Sequence, residues 1–262
     1  MHASDDTILR LAEAPAAYEA IGAGEHLIAN DRYVLFIARG DHPGFNTVQH
    51  LRLSPQTIDA TIDEVRAIAR AHGRTALTWE IASSATPPDL AERLRERGMT
   101  VAEPPRAVVM ALHEPPPPAP AGISVTRGET IADFRVFVSI THEVFGMADR
   151  LPAELERIDH DGAADLADTR FVRYIAWIDG APMAAATASF TDVGVLLHSG
   201  STLPAARGRG AYRALVAARW DDAVRHGTPL AVTRAGPMSR PVLARVGFVE
   251  LAEITFLVDR FA

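Results

Sequence analysis

A glycine-rich turn between a predicted strand and a predicted helix has the clearest capacity for chemistry in this sequence. The run is Pro204-Ala205-Ala206-Arg207-Gly208-Arg209-Gly210-Ala211-Tyr212. Glycines let a backbone approach an anion closely, and the first N–H groups of a helix have no acceptor within the helix. The helix dipole adds about 0.3–1 kcal/mol for an anion at this end. The turn therefore predicts a binding site for a phosphate group.

Several other kinds of site are excluded by missing residues. Arg213 stands where the dinucleotide pattern G-x-G-x-x-G needs its third glycine. All 26 basic residues are arginine, so a Walker A loop, a pyridoxal enzyme and a protein kinase, which each need a lysine, are excluded. The absence of cysteine excludes thiol nucleophiles, disulfides and cysteine metal sites. No H-E-x-x-H or G-x-S-x-G motif is present, and we expect no metal.

The glycine turn resembles the pyrophosphate motif R-x-x-G-x-G/A of the GNAT superfamily of acyl-CoA-dependent N-acyltransferases. Arg207 to Tyr212 match this motif, with Tyr212 in place of the final Gly or Ala. The later run Ser239-Arg240-Pro241-Val242-Leu243-Ala244-Arg245-Val246-Gly247-Phe248 is similar to the family's last helix and its Gly-Phe turn. The resemblance covers most of residues 122–262 and implies acetyl-CoA or a related acyl-CoA as co-substrate.

The resemblance also implies which residues hold the acyl-CoA. The pyrophosphate would be bound by Arg207, Gly208, Arg209, Gly210, Ala211 and Tyr212, and the pantetheine arm by the main chain of Ser201, Thr202 and Leu203. His198 lies nine residues before Arg207, where some family members carry a histidine base. A histidine pKa near 6.5 suits the removal of a proton from an amine. A structural histidine bonded to a neighbour is an equally good interpretation.

The other candidate residues are less specific. The tyrosine that protonates the leaving thiolate in many relatives corresponds to Leu243, so Ser239, Tyr212 or water would replace it, or the thiolate would leave unaided. A domain that binds CoA without turnover is a third alternative. His142, Glu143 and Asp192 are weak candidates for contacts with the acceptor, because each is more often a solvated polar residue.

The predicted elements of the second half place the turn between a strand and a helix. The predicted strands are 123–126, 172–178, 182–190, 194–203 and 230–233, with helices 131–145, 211–226 and 239–245 and a closing strand or hairpin over 248–258. Asp179-Gly180 is a hairpin signal between two of these strands.

The first half repeats the order of strand, helix and strand. Apolar residues at Ile58, Ile62, Val65 and Ala69 predict a helix over 58–71. The other predicted elements are strands 47–53, 75–81 and 106–112 and a helix over 89–97. This half looks like a second GNAT domain, but Leu53-Ser54-Pro55-Gln56 stand where the phosphate motif should be. We interpret it as a degenerate domain that does not bind CoA.

A proline run divides the chain. Residues 114–121, Glu-Pro-Pro-Pro-Pro-Ala-Pro-Ala, cannot form a helix or a central strand and predict a semi-rigid linker. We therefore expect a degenerate GNAT-like domain over 1–113 and an acyl-CoA-binding catalytic domain over 122–262. The expected fold class is α/β (α+β in some schemes), with a mixed, mostly antiparallel sheet flanked by helices in each domain.

Charge and hydrophobicity limit the partners. The net charge of −7 gives no field that favours nucleic acid or an anionic membrane, and we expect neither as a partner. The first 20 residues lack the pattern of a signal peptide, and no apolar run reaches the roughly 20 residues of a membrane span, which predicts a cytoplasmic protein. The predicted function is N-acetylation of a primary amine of a small molecule or peptide. A non-catalytic CoA-binding or partner-binding module is the alternative, and a homodimer is left open.

Overall fold

The computed structural model describes residues 4–18, 21–22 and 24–261, and alternates helices and strands throughout. The first half contains α1 (Asp5–Glu13), β1 (His26–Ala29), β2 (Val34–Ile37), β3 (Thr47–Gln49), α2 (Ile58–Ala71), β4 (Ala76–Ala82), α3 (Leu90–Glu96) and β5 (Thr100–Leu112). The second half contains β6 (Ile123–Arg127), α4 (Ile131–Val144), α5 (Leu151–Ala167), β7 (Phe171–Ile178), β8 (Ala181–Phe190), β9 (Val195–Thr202), α6 (Ala211–Arg225), β10 (Ala231–Ala235), α7 (Arg240–Val246) and β11 (Val249–Arg260). None of the described helices has the length and apolar character needed to cross a membrane.

The chain forms two compact units whose boundaries differ from the predicted domains. The N-terminal unit comprises residues 4–110, 234–241 and 250–261, and the C-terminal unit comprises 111–233 and 242–249. The predicted domains are continuous, whereas the N-terminal unit takes two segments from the end of the chain. The reason is that β11 pairs with β4, in antiparallel register from Ile254 opposite Ala82 to Arg260 opposite Ala76.

The N-terminal unit is a mixed sheet covered by helices. Its strand order is β1-β2-β3-β4-β11-β5, and the pair β3–β4 is parallel, with Thr47 opposite Thr78. The helix α2 begins after a turn that Ser54 and Thr57 stabilise, where the Ser54 N–H donates to Thr57 Oγ1 at 3.0 Å. Its apolar side packs on Trp79 of β4 and Leu257 of β11, both fully buried. Burial of this apolar stripe is the main stabilisation of such a helix.

The C-terminal unit has helices on both faces of its sheet. The strand order is β10-β9-β8-β7-β6, antiparallel except for the parallel pair β9–β10. Neighbouring residues of a strand point to opposite faces. Tyr174 of β7 faces α6, where its hydroxyl donates to Asp222 at 2.5 Å, while Ile175 packs against α4 and α5. The predicted fold class, with a mostly antiparallel sheet and flanking helices in each part, is confirmed.

The proline-rich segment lies along the C-terminal unit. Residues 115–120 have no regular secondary structure and run beside α6 and β6, and they lie in the same compact unit as both elements. The prediction that this segment contains no helix or strand is therefore confirmed. The segment therefore belongs to the C-terminal unit, a placement that the composition does not predict.

Candidate functional site

The glycine turn forms a backbone loop that opens toward an anion. After β9, a single 3-10 turn over Pro204–Ala206 leads to Gly208 and Gly210, whose φ angles are +78° and +94°. These left-handed conformations favour glycine. Gly210 is the residue before the first turn of α6, and no hydrogen bond among the described residues uses the N–H of Gly208 or Gly210. These two N–H groups and those of the first turn of α6 are available to phosphate oxygens.

Two arginines stand beside this loop. The Arg209 Nη2 donates to Asp179 Oδ2 at 2.8 Å, and Asp179 lies in the turn between β7 and β8. The Arg207 Nε points to the Thr202 carbonyl oxygen at 3.5 Å. Both guanidinium groups are exposed and lie on long flexible side chains. They can therefore turn toward a pyrophosphate at the loop at little cost.

Tyr212, which replaces a small residue of the GNAT motif, turns away from the loop. Its ring lies on Gly200 of β9, where a Cβ on Gly200 would be 2.6 Å from Tyr212 Cε2. Burial raises the pKa of the Tyr212 hydroxyl, and the charge of the neighbouring Arg219 opposes this rise. The missing side chain at Gly200 makes room for the tyrosine, so the larger residue does not fill the phosphate loop. This placement does not favour Tyr212 as the acid for a leaving thiolate.

The strand β9 has a free backbone edge just before the turn. Its pairing with β10 ends at Leu197 opposite Thr233, and β9 continues to Thr202 beside β8 alone. A β-bulge interrupts this second pairing, and Ser199 within it has a φ of +48°. Amide groups along such an edge can pair with an extended ligand in the way of an added strand. The Leu203 N–H already donates to the Met183 carbonyl at 3.0 Å. The other main-chain groups of residues 201–203 could pair with a pantetheine arm, and the residues of the turn fit its pyrophosphate.

His198 lies one residue before this bulge and is partly buried. Its Nε2 is 3.1 Å from Ser189 Oγ, and its ring stacks with Phe171 at a centroid distance of 6.5 Å. The histidine is thus held on the sheet face that Arg173 also occupies, since Arg173 lies above the Phe171 ring. An oriented imidazole at the end of the paired part of β9 fits a base, and its bond to Ser189 equally fits a structural role.

The other candidate residues lie on different elements. Ser239 belongs to the N-terminal unit, and its hydroxyl donates to the Gly236 carbonyl at 3.3 Å. Asp192 is exposed in the turn that precedes β9, at the opposite end of that strand from the glycine loop. His142 and Glu143 end α4, where His142 Nδ1 donates to the Val138 carbonyl at 3.1 Å. Leu243 is buried on α7.

A buried polar network beneath α6 was not predicted from the sequence. Arg219 is almost fully buried and donates to the carbonyl oxygens of Leu215 at 2.9 Å and Thr187 at 3.1 Å. Asp222, also buried, accepts bonds from Tyr174 at 2.5 Å and Arg127 at 2.8 Å. Burial lowers the pKa of Arg219 and raises that of Tyr174 to about 12. The sequence feature that could have indicated this network is Arg219 itself, a charged residue four positions after Leu215 on the apolar side of the helix.

The equivalent turn of the N-terminal unit has no phosphate loop. His50, with a φ of +52°, comes just after the part of β3 that pairs in parallel with β4. Ser199 has the corresponding place after the part of β9 that pairs in parallel with β10. Helix α2 begins eight residues after His50, whereas α6 begins twelve residues after Ser199. Gln49, next to His50, is buried and accepts a bond from the Ala16 N–H at 3.3 Å. This turn is shorter and has no glycine in residues 50–57. That this unit does not bind CoA stays a prediction.

The comparison with solved structures extends over the whole chain. No protein-family model and no curated protein matches the sequence. A GCN5-related N-acetyltransferase from Kribbella flavida is similar over 99% of this chain and 96% of its own, with a TM-score of 0.68 and 18% identity. A tandem GNAT protein from the clavulanic acid biosynthesis pathway is similar over 99% and 97%, with a TM-score of 0.64 and 20% identity. A GCN5-related N-acetyltransferase from Sphaerobacter thermophilus covers 89% and 82%, with a TM-score of 0.56 and 17% identity. The chain therefore has the fold of the GNAT acetyltransferases in its tandem form.

Proposed function

We propose that the protein transfers an acetyl or related acyl group from acyl-CoA to a primary amine of a small molecule or peptide. The observation that carries this proposal is the loop from Arg207 to Ala211, with two left-handed glycines and open N–H groups at the start of α6. The unpaired edge of β9 beside it supports binding of the pantetheine arm. A cytoplasmic location is part of the same proposal.

The chemistry needs a neutral amine and a polarised thioester. In this proposal, the amine nitrogen attacks the thioester carbonyl carbon, the C–S bond breaks, and the amine's extra proton passes to a base. The backbone N–H groups along the free edge of β9 stabilise the developing oxyanion. His198, one residue before the bulge, accepts the amine proton directly or through water. The thiolate leaves as CoA and takes a proton from water, since Leu243 offers no hydroxyl.

Calorimetric titration with acetyl-CoA tests the binding part of this proposal. The double variant Arg207→Ala/Arg209→Ala removes both guanidinium groups at the loop, and we expect its acetyl-CoA affinity to fall about 10- to 100-fold. The double variant Arg135→Ala/Arg170→Ala is the control, because it removes two arginines of the same unit that pair with Asp159 and Asp168. Equal affinity of the loop variant and the unaltered protein would contradict the proposal.

A non-catalytic CoA-binding module is the second candidate function. The observation in its favour is Leu243, a buried apolar residue at the position that the GNAT resemblance assigns to a tyrosine in many members of that family. Release of free thiol from acetyl-CoA in the presence of a panel of amines distinguishes the two. Tight binding without thiol release above the background with any amine would favour the binding module. For the enzyme, His198→Ala is expected to lower kcat/KM and to change its pH profile.

A further inference from the structure

We propose that Pro120, in the proline-rich segment, is a positioning residue for the glycine loop. The inference rests on the proposed binding of acyl-CoA at that loop. A Cβ on Gly210 would lie 2.5 Å from Pro120 Cγ and 3.5 Å from its Cδ, so the proline ring lies directly against the Gly210 Cα. Gly210 is the residue that orients the first N–H groups of α6, with a φ of +94°. The proline-rich segment thus contacts the residue next to the N–H groups that would bind the pyrophosphate.

The residues of the segment that precede Pro120 border a cavity beside α6. Between the proline-rich segment and α6 is a cavity of about 460 Å³, lined by Pro115, Pro116, Pro118 and Ala119 on one side and by Ala217 and Trp220 on the other. The segment therefore leaves space along the body of α6 and closes on the helix at its start. Pro120, which is not among the lining residues, is the proline that reaches the loop.

The physical effect of this contact is on the freedom of the loop. Glycine loses more backbone entropy on ordering than any other residue, and the loop has Gly208 and Gly210 within three positions. Proline is rigid and loses little entropy when it packs. A proline ring against Gly210 restricts the loop before a ligand arrives, and a restricted loop binds its ligand with a smaller entropic cost. Pro120 then raises affinity for the pyrophosphate without touching it.

The test compares Pro120→Ala with Pro116→Ala in the full chain. Both prolines are partly buried, but only Pro120 contacts Gly210. We expect Pro120→Ala to bind acetyl-CoA about three- to tenfold more weakly in calorimetry, and Pro116→Ala to bind it as the unaltered protein does. Amide hydrogen exchange without ligand should rise for residues 208–212 in Pro120→Ala alone. The melting temperature of each variant shows whether it is folded.

The outcomes separate this inference from the proposed function. If the unaltered protein does not bind acetyl-CoA, the proposed function fails and the positioning role with it. If the unaltered protein binds and Pro120→Ala binds equally well, only the positioning role is overturned. An equal loss in both proline variants, or a loss of affinity without faster exchange at residues 208–212, also overturns it. If Pro120→Ala melts much earlier, Pro120→Val is tested instead, because it keeps bulk at Gly210 and should bind acetyl-CoA nearly as the unaltered protein does. A folded Pro120→Val that binds as weakly as expected for Pro120→Ala would overturn the positioning role.

Discussion

At the scale of single residues, Gly200 and Tyr212 form a close packing contact beside the candidate site. A Cβ on residue 200 would be 2.6 Å from Cε2 of the Tyr212 ring. We expect Gly200→Ala to lower the free energy of unfolding by about 1–3 kcal/mol, through overpacking. Urea unfolding followed by circular dichroism measures this change.

Two further variants show whether the tyrosine is the cause. Gly236→Ala is the matched control, since nothing lies within 4 Å of the position of its Cβ. It should change the free energy of unfolding by less than about 0.5 kcal/mol. In a Tyr212→Ala background, Gly200→Ala should cost much less than it does alone. A full cost in that background would mean that the glycine is needed for another reason.

A second prediction at this scale concerns high pH. Burial and the bond to Glu64 raise the pKa of Tyr33 to about 12 from its ordinary value of 10. The folded state keeps this proton while the unfolded state loses it, so the contribution to stability is full below pH 10 and is lost as the pH rises through 12. We expect this contribution to have fallen by about 1 kcal/mol at pH 11. Tyr33→Phe should show a correspondingly smaller decrease between pH 9 and pH 11 in urea unfolding.

The part of the candidate site that could be predicted is the part built from consecutive residues. The turn from Arg207 to Ala211 carries its own signal, because glycine content and position before a helix set its conformation. The contacts of Tyr212 with Gly200 and of Pro120 with Gly210 bring together residues distant in the chain. No spacing rule relates such positions, since the approach depends on how the elements pack.

At the scale of elements, apolar periodicity predicted the helices that pack one clear face on a sheet. Helix α2 has the predicted bounds, 58–71, and α6 ends one residue before the predicted 226. Helix α5 was missed, because only Ile158 and Gly162 of its 17 residues are buried, which leaves no apolar stripe. The short strands β1 and β2 were missed as well. Strands β4 and β11 were both predicted, but their pairing was not. An alternating pattern identifies a strand and does not identify the strand beside it.

The prediction at the scale of elements concerns the ion pair that joins β11 to α2. Arg66 of α2 donates to both carboxylate oxygens of Asp259, at 2.6 and 2.9 Å, and the Asp259 side chain is 1% exposed against 23% for Arg66. Arg66→Met would leave a buried carboxylate without its partner, at a cost of about 3 kcal/mol. Asp259→Asn leaves an arginine that can reach water, so its cost should be smaller. Urea unfolding of both variants measures the difference.

The informative result is which variant, Arg66→Met or Asp259→Asn, loses more free energy of unfolding. If Asp259→Asn destabilises the protein as much as Arg66→Met, then the burial of Asp259 does not govern the pair. The control is Arg106→Met, whose partner Glu253 on β11 is 52% exposed. Because both charges of that pair are in water, its loss should cost less than about 1 kcal/mol.

At the scale of the whole molecule, the N-terminal unit is assembled from three separate segments of chain. Removal of residues 250–262 therefore takes the partner of β4 away from a unit whose other residues mostly precede 111. Trp79 of β4 is fully buried opposite Leu257, while Trp177 and Trp220 belong to the other unit. In a Trp177→Phe/Trp220→Phe background, we expect this truncation to shift the Trp79 emission to the red, toward its value in denaturant.

The same background without the truncation is the control and should keep a blue-shifted emission from a buried indole. A truncated protein with unchanged Trp79 emission would show that β4 and α2 form a stable core without β11. A red shift that appears in the control as well would mean that the tryptophan substitutions themselves disturb the unit.

The late position of β11 also has a consequence for the order of events during protein synthesis. The ribosome makes β4 about 170 residues before β11, at about 5–20 residues per second. During that interval, the nascent N-terminal unit has an exposed strand edge at β4 and no Asp259 beside Arg66. Residues 111–233 emerge earlier than β11. They contain strands β6 to β9 of the C-terminal unit and the first residues of β10. The half made first is therefore the half completed last, and we expect the unpaired edge of β4 to favour aggregation of the nascent chain in this interval.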